Sequence, residues 1–139
     1  MAGFSKYLAQ QVLNHVLLGV PFNAVTSHKI ALFTSDPVDV IQFEVEAEWY
    51  SRQTCDAWSA PTEVGTNGTA HKVINDQTVI FGPVTGGAIT VSHWGILDGT
   101  GATSLLFSGP IEGNAVQLYD GDSVVFSPGS LTVQLDPTE

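Results

Sequence analysis

The sequence predicts a mainly β protein, a jelly-roll-like sandwich or barrel with one N-terminal α-helix. Three observations predict it. Apolar residues recur every fourth position near the start, at Phe4, Leu8, Val12 and Val16, and this helical period stops at Gly19 and Pro21. Beyond Pro21 the chain changes to short β-rich runs punctuated by Gly, Pro, Asn and Asp, the pattern of strands and tight turns. Hydrophobic residues make up 43% of the chain against 13% charged, so polar surface comes largely from Ser, Thr, Asn, Gln and Gly. That composition suits a tightly packed β protein whose neighbours hide part of its surface.

Taken in order, Ser5 is a suitable N-cap for a helix over 6–18, since its hydroxyl can accept a free N–H of the first turn. Leu13 and Leu17 join the apolar repeat on the neighbouring face. Gly19 provides the C-terminal stop and Pro21 cannot continue the hydrogen-bonded ladder. Such a stripe must pack, either on the domain's own sheet or on a neighbouring subunit. Strands are expected at 29–34, 50–58, 70–74, 78–81, 89–97, 104–107, 115–119, 123–126 and 131–135. Short strands of this number, with such turns, indicate a sandwich, jelly roll or barrel. The interval 36–49 carries Asp36-Pro37 and Glu44, Glu46 and Glu48, and is expected to be a long loop or protruding arm. A chain of 139 residues without an internal repeat or linker is read as one domain, with the helix at about 5–19 and the β domain at 28–135.

The balance of 14 acidic against 4 basic side chains gives a formal net charge of -10, which repels phosphate backbones and argues against nucleic-acid binding. A single cysteine, Cys55, forms no internal disulfide and suits a reducing bacterial cytosol. The start, Met1-Ala2-Gly3-Phe4-Ser5-Lys6, lacks the basic and apolar regions of a signal peptide. No run approaches the roughly 18 apolar residues of a membrane helix, so no membrane partner is expected. Asn67-Gly68-Thr69 reads as a simple Asn-Gly turn in preference to a glycosylation sequon.

Sites of chemistry are weakly represented. On a strand, Glu44, Glu46 and Glu48 would share one face and could meet a hard cation, but solvated carboxylates explain them as well and no Gly-turned ligand loop follows. Asp120-Gly121-Asp122-Ser123 lacks the further ligands of a calcium loop and reads as a turn. His15, His28, His71 and His93 are dispersed and make no zinc pattern, and a His93–Asp98 pair is read as structural. Nucleophile elbows and phosphate-cradling glycine loops are missing, so no catalytic residue, metal or cofactor is expected. Trp49, Tyr50, Trp58 and Trp94 could form a sugar platform, with Trp58 and Trp94 as the candidate glycan contacts, although large aromatics more often fill cores and interfaces. The scarce cations Lys29, Arg52 and Lys72 are expected to pair with acidic neighbours, each exposed pair contributing about 0 to 1 kcal/mol.

Several landmarks together resemble a known family. They are the helical opening around Asn14-His15, Ala31-Leu32-Phe33-Thr34-Ser35-Asp36-Pro37, Tyr50-Ser51-Arg52-Gln53 and His93-Trp94-Gly95-Ile96-Leu97-Asp98. The series continues through Leu105-Leu106-Phe107-Ser108-Gly109, Gly121-Asp122 and Gly129-Ser130-Leu131-Thr132-Val133. The pattern resembles the small β-rich virion proteins of tailed bacteriophages labelled tail-fibre proteins, with related folds used as capsid cement or decoration proteins. This chain departs from it in the acidic stretch 41–48 and in Trp94, where the pattern has a Gly-rich loop and a small residue or Phe.

The resemblance implies a non-enzymatic virion protein assembled in the bacterial host cytoplasm as a homotrimer. Capsid cement bound to the major capsid protein is the first reading. A tail-fibre or baseplate component bound to tail proteins is the alternative, and a host-glycan-binding module belongs to a different class. For assembly, the helix and the acidic segment supply the candidate contacts: Phe4, Leu8, Val12, Phe43, Glu44, Glu46, Glu48 and Trp49.

Overall fold

The computed structural model describes residues 3–22, 24–65, 68, 70–100, 104–111, 113 and 115–135. It is mainly β, with one N-terminal helix and several antiparallel sheets, and the described strands close no barrel. The elements in chain order are β1 (Gly3–Phe4), α1 (Lys6–Leu18), β2 (His28–Phe33), β3 (Gln53–Thr54), β4 (Thr62–Val64), β5 (Ala70–Ile74) and β6 (Val79–Phe81). They continue with β7 (Ile89–Val91), β8 (His93–Asp98), β9 (Leu105–Pro110), β10 (Val116–Leu118), β11 (Val124–Phe126) and β12 (Thr132–Leu135).

Helix α1 has the expected bounds, and its capping explains why. The Ser5 hydroxyl accepts the Leu8 N–H at 3.0 Å, while Gly19 takes the left-handed conformation at φ 69 and donates back to the Asn14 carbonyl. One face lays Leu8, with Tyr7 and Val12, against the core beside β9. The C-terminal part of the helix does not pack: Leu13, Val16, Leu17 and Leu18 are 58, 69, 73 and 73% exposed. The expected stripe is therefore divided between the protein's own core and solvent.

A five-stranded antiparallel sheet, in the order β1-β9-β8-β2-β3, organises the rest. Strands β2 and β8 are buried on both faces, which accounts for their near-continuous apolar sequence. One face carries Ile30, Leu32, Trp94, Ile96 and Leu106 into the main core, where they meet Val79, Phe81, Val91, Leu118 and Phe126 from β6, β7, β10 and β11. The opposite face carries Ala31, Phe33, Leu97 and Leu105 under Ile41. Those smaller sheets are the pairs β10-β7 and β11-β6, and a third sheet runs β12-β5-β4.

The register between β8 and β9 shifts after the Ile96–Phe107 pair, because Leu97 opposes Leu105 and skips Leu106. The adjacent Leu105 and Leu106 point to opposite faces of the sheet and enter the two separate cores. On the other edge of β9 the Leu106 carbonyl accepts the Ser5 N–H at 2.9 Å, which continues the β1–β9 ladder and anchors the start of α1 to the sheet.

Gly95 lies where Phe33 crosses β8. A Cβ there would sit 2.7 Å from Phe33 Cε2 and 2.9 Å from Leu105 Cδ1, both of them buried side chains. Gly95→Ala is therefore expected to cost about 1 to 3 kcal/mol through overpacking, read as a lower urea midpoint with an unchanged slope. An unchanged midpoint would show that the second core yields freely.

Three expectations about strands need correction. The run at 89–97 is two strands in different sheets, because the chain leaves one sheet for the other at Ser92, whose N–H donates to the Phe33 carbonyl. Of 50–58, only Gln53–Thr54 is a strand, with an isolated bridge from Trp58 to Asn75. The short strands β1 and β4 carry too few residues to show a period and were not anticipated. The turn expected at Asn67-Gly68-Thr69 lies outside the described residues except for Gly68.

Candidate functional site

Segment 36–49 is a long loop whose return leg runs along the free edge of β2. Phe33 bridges Glu44, with the Thr34 N–H donating to the Phe43 carbonyl at 2.9 Å and the Val45 N–H donating to the Leu32 carbonyl at 3.0 Å. The chain then turns away and rejoins the same edge as β3, opposite Lys29 and Ile30. In the gap between, the Leu32 N–H has no strand partner, and the Tyr50 hydroxyl accepts it at 3.1 Å. That hydroxyl in turn donates to Glu44 Oε2 at 2.6 Å. Arg52 completes the clamp with two parallel bonds, Nε to Oε2 at 2.8 Å and Nη2 to Oε1 at 2.7 Å.

The clamp explains the Tyr-Ser-Arg-Gln landmark: Tyr50 and Arg52 flank the exposed Ser51 and converge on one carboxylate, while Gln53 opens β3. The Tyr50 ring lies parallel to Phe81 at 6.0 Å and edge-on to Trp49 at 6.0 Å, so the polar clamp is fixed to the core. The ion pair is not the exposed, weak pair expected of Arg52, since the side chains retain only 29% and 17% of their exposure. Burial pushes the Tyr50 phenol well above the usual tyrosine range, and its hydrogen bond to Glu44 adds to the effect, so it remains a proton donor. Burial by itself would raise the Glu44 carboxyl, but the hydrogen bonds from Arg52 and Tyr50 and the Arg52 charge outweigh it and hold the carboxyl below its ordinary value.

A carboxyl held low in the folded state stabilises the fold above its ordinary value of 4.5 and loses that contribution as pH falls through the lower, folded value. Melting temperature followed from pH 7 downward should drop more steeply below about pH 4.5 in the wild type than in Glu44→Gln, which starts less stable at pH 7. Parallel curves would show that the carboxylate contributes nothing to the acid limb.

The other expected contacts fall as follows. Leu8 is buried in the core and Val12 is half-buried against it, whereas Phe4 is partly exposed and meets Phe107 edge-on at 5.4 Å. Glu46 and Glu48 are exposed and Trp49 is half-buried. Phe43 is 53% exposed at φ 62, and Val38 is 64% exposed at φ 64, where its N–H donates to Asp36 Oδ1 at 2.8 Å. A β-branched residue in this region costs on the order of 1 to 3 kcal/mol, so an apolar side chain is displayed to solvent at a conformational cost.

The aromatic residues do not gather into one platform. Trp94 is 5% exposed and its edge lines a cavity of about 440 Å³ with Leu118 and Phe126. Trp58 lines a different groove, of about 390 Å³, with His28, His71 and Val133. Its indole N–H already donates to the Cys55 carbonyl at 2.9 Å.

Other reactive side chains are engaged structurally. His93 bonds Ser92 Oγ at 2.7 Å and lies 4.0 Å from Asp36, and it sits at the opposite end of β8 from Asp98. Burial pushes the Cys55 thiol up, away from the thiolate a nucleophile requires. No cluster of His, Cys, Asp and Glu fit to hold a metal occurs among the described residues, and no helix there is long and apolar enough to cross a membrane.

Sequence reasoning missed Asn75, a fully buried side chain that uses all of its hydrogen-bonding capacity. Its amide donates to the Gln77 and Ser127 carbonyls, and its oxygen accepts from the Gly129 and Leu131 N–H groups. The landmark at Gly129-Ser130-Leu131 is thereby tied to the end of β5. An Asn between a strand and a turn carries no local sign of this role.

The site is thus an internally braced edge beside an uncovered apolar surface, an arrangement for holding shape and making contacts. None of the curated proteins compared with the chain matches it. A family model does, that of the podophage GP4 fiber I protein gp80, and the match covers residues 3–134. Running through nearly the whole chain, it places every landmark of the resemblance inside the aligned region, and the protein belongs to this family of phage fibre-type virion structural proteins.

Proposed function

We propose that the protein is a non-enzymatic structural subunit of the phage particle, carried on a fibre or at its attachment, and that it works through contacts between subunits. The observation that carries this reading is the uncovered apolar surface of α1 and the 38–43 turn, beside an interior in which, among the described residues, every buried side-chain nitrogen and oxygen has a hydrogen-bond partner. The family description favours the fibre over the head. The resemblance that named the family also implies a homotrimer, with tail proteins as further partners and assembly in the bacterial cytoplasm. A glycan-binding role is weakened by the burial of Trp94 and the engaged indole of Trp58.

Capsid cement is the second reading. It is favoured by a chain without the internal repeat that a long shaft would use, and a compact β body suits a joint between capsomers, with the major capsid protein as partner. Antibody labelling of purified particles under the electron microscope separates the readings. Label on fibres or the tail is the expected result. Label spread over the head would replace it with cement, and unlabelled particles would defeat both.

A further inference from the structure

We propose that copies of this chain join through the exposed face of α1, with the turn at Val38 and Val40 as its rim. The inference deepens the structural reading above, on which it rests, by naming the self-association surface. On α1, Ala9, Leu13 and Leu17 fall on the side turned from Leu8, and Val16, which follows Leu8 and Val12 at steps of four, emerges from the core beside them. Successive steps of four and three residues from Ala9 to Leu13 to Val16 are those of a helix-packing seam. Along the adjacent strip, Lys6 and Gln10 line a shallow cavity with Asp39, Val40 and Ile41, and Leu13 and Leu17 continue that strip toward the C-terminus. The helix surface and the turn are therefore continuous.

Leu13, Val16 and Leu17 on the helix, and Val38 and Val40 on the turn, which are 64 and 46% exposed, leave a contiguous run of apolar side chains uncovered, as a subunit contact requires. Val38 holds its side chain outward at a positive φ that Gly or Asn would adopt with less strain, which marks the turn as kept for contact.

Charge identifies the occupant as a second copy. All 14 acidic side chains lie at or after Asp36, so the helix carries only Lys6 and His15 as ionisable groups besides Tyr7. In a chain of net charge -10, most surfaces would bring carboxylates together on self-contact, whereas two of these helices bring none. The rim is self-complementary as well, with Lys6 on the helix and Asp36 and Asp39 flanking Val38. The exposed cross-strand pair Ile80 and Val125, on β6 and β11, follows Asp76 by four residues and Asp122 by three, and serves as the control surface.

Sedimentation of the full chain at tens of micromolar tests the proposal. The wild type should run as an oligomer, the triple variant Leu13→Glu, Val16→Glu, Leu17→Glu as a single chain with an unchanged circular dichroism spectrum, and Ile80→Glu as the wild-type oligomer. A monomeric wild type, a triple variant that stays assembled, or dissociation by Ile80→Glu would overturn it.

Should the triple variant lose its fold, oxidation of Leu17→Cys decides, since Cys55 is buried. A disulfide-linked dimer from Leu17→Cys, and none from Ile80→Cys, is the expected outcome, and the reverse overturns the proposal. An oligomer that survives the triple variant refutes this surface alone, while the virion reading stands or falls separately on particle labelling.

Discussion

Asn75→Ala should lower stability by about 2 to 4 kcal/mol, a fall in melting temperature on the order of 10 °C. Gly129 keeps a second acceptor in the Asn75 backbone carbonyl at 2.9 Å, and the Ser127 carbonyl keeps the Ser130 N–H at 2.9 Å. The Leu131 N–H and the Gln77 carbonyl have no such reserve, and Leu131 is fully buried. An orphaned buried group costs about 1 to 3 kcal/mol, and the space vacated by the amide adds to it. Differential scanning calorimetry checks the result. A shift of a degree or less would mean that water replaces the amide, and that Asn75 does not organise the turn.

Arg52→Met should cost about 2 to 3 kcal/mol. That lies below the 3 to 5 kcal/mol typical of breaking a fully buried ion pair, because both side chains keep some contact with solvent. The loss comes less from the missing attraction than from leaving the Glu44 carboxylate half-buried, with only the Tyr50 hydroxyl as a side-chain donor. The double variant Glu44→Leu, Arg52→Met should therefore be more stable than the sum of the two single changes predicts, by about 1 kcal/mol or more. Urea unfolding of all four proteins gives the coupling. Strict additivity would show that the bidentate geometry contributes no interaction of its own.

These networks bear on what the sequence could reveal. Helix α1 was legible because its signals are local: Ser5 caps it, Gly19 ends it in the left-handed region, and no distant residue is needed to set its bounds. Strand β5 was legible for the same reason, as an uninterrupted run before the Asn75-Asp76 turn residues. By contrast, nothing local marks Ser92 as the point where a single apolar run divides between two sheets. Its N–H is claimed by Phe33 and its carbonyl by Ile111, both distant in the chain. The Tyr50-Ser51-Arg52-Gln53 landmark was visible as a pattern, but its role depends on Glu44 being brought opposite Phe33, which is a matter of tertiary register. Periodicity on α1 had a similar limit, since Leu8 and Val16 belong to the same every-fourth-residue repeat although one is buried and the other faces solvent.

A protein braced in this way can carry load through its surface without rearranging its interior. The Glu44 clamp holds the loop edge to β2, Asn75 holds the turn after β11, and the Leu106 carbonyl holds the base of α1. The uncovered apolar residues sit on the helix and loop that these contacts position.

As a proposed built-in part of the phage particle, the chain should be found in purified particles by quantitative mass spectrometry. A built-in subunit is expected at a fixed copy number per particle, in stoichiometric proportion to the known structural proteins and unchanged by a high-salt wash. Trace amounts that vary between preparations, or loss of the chain on washing, would contradict it.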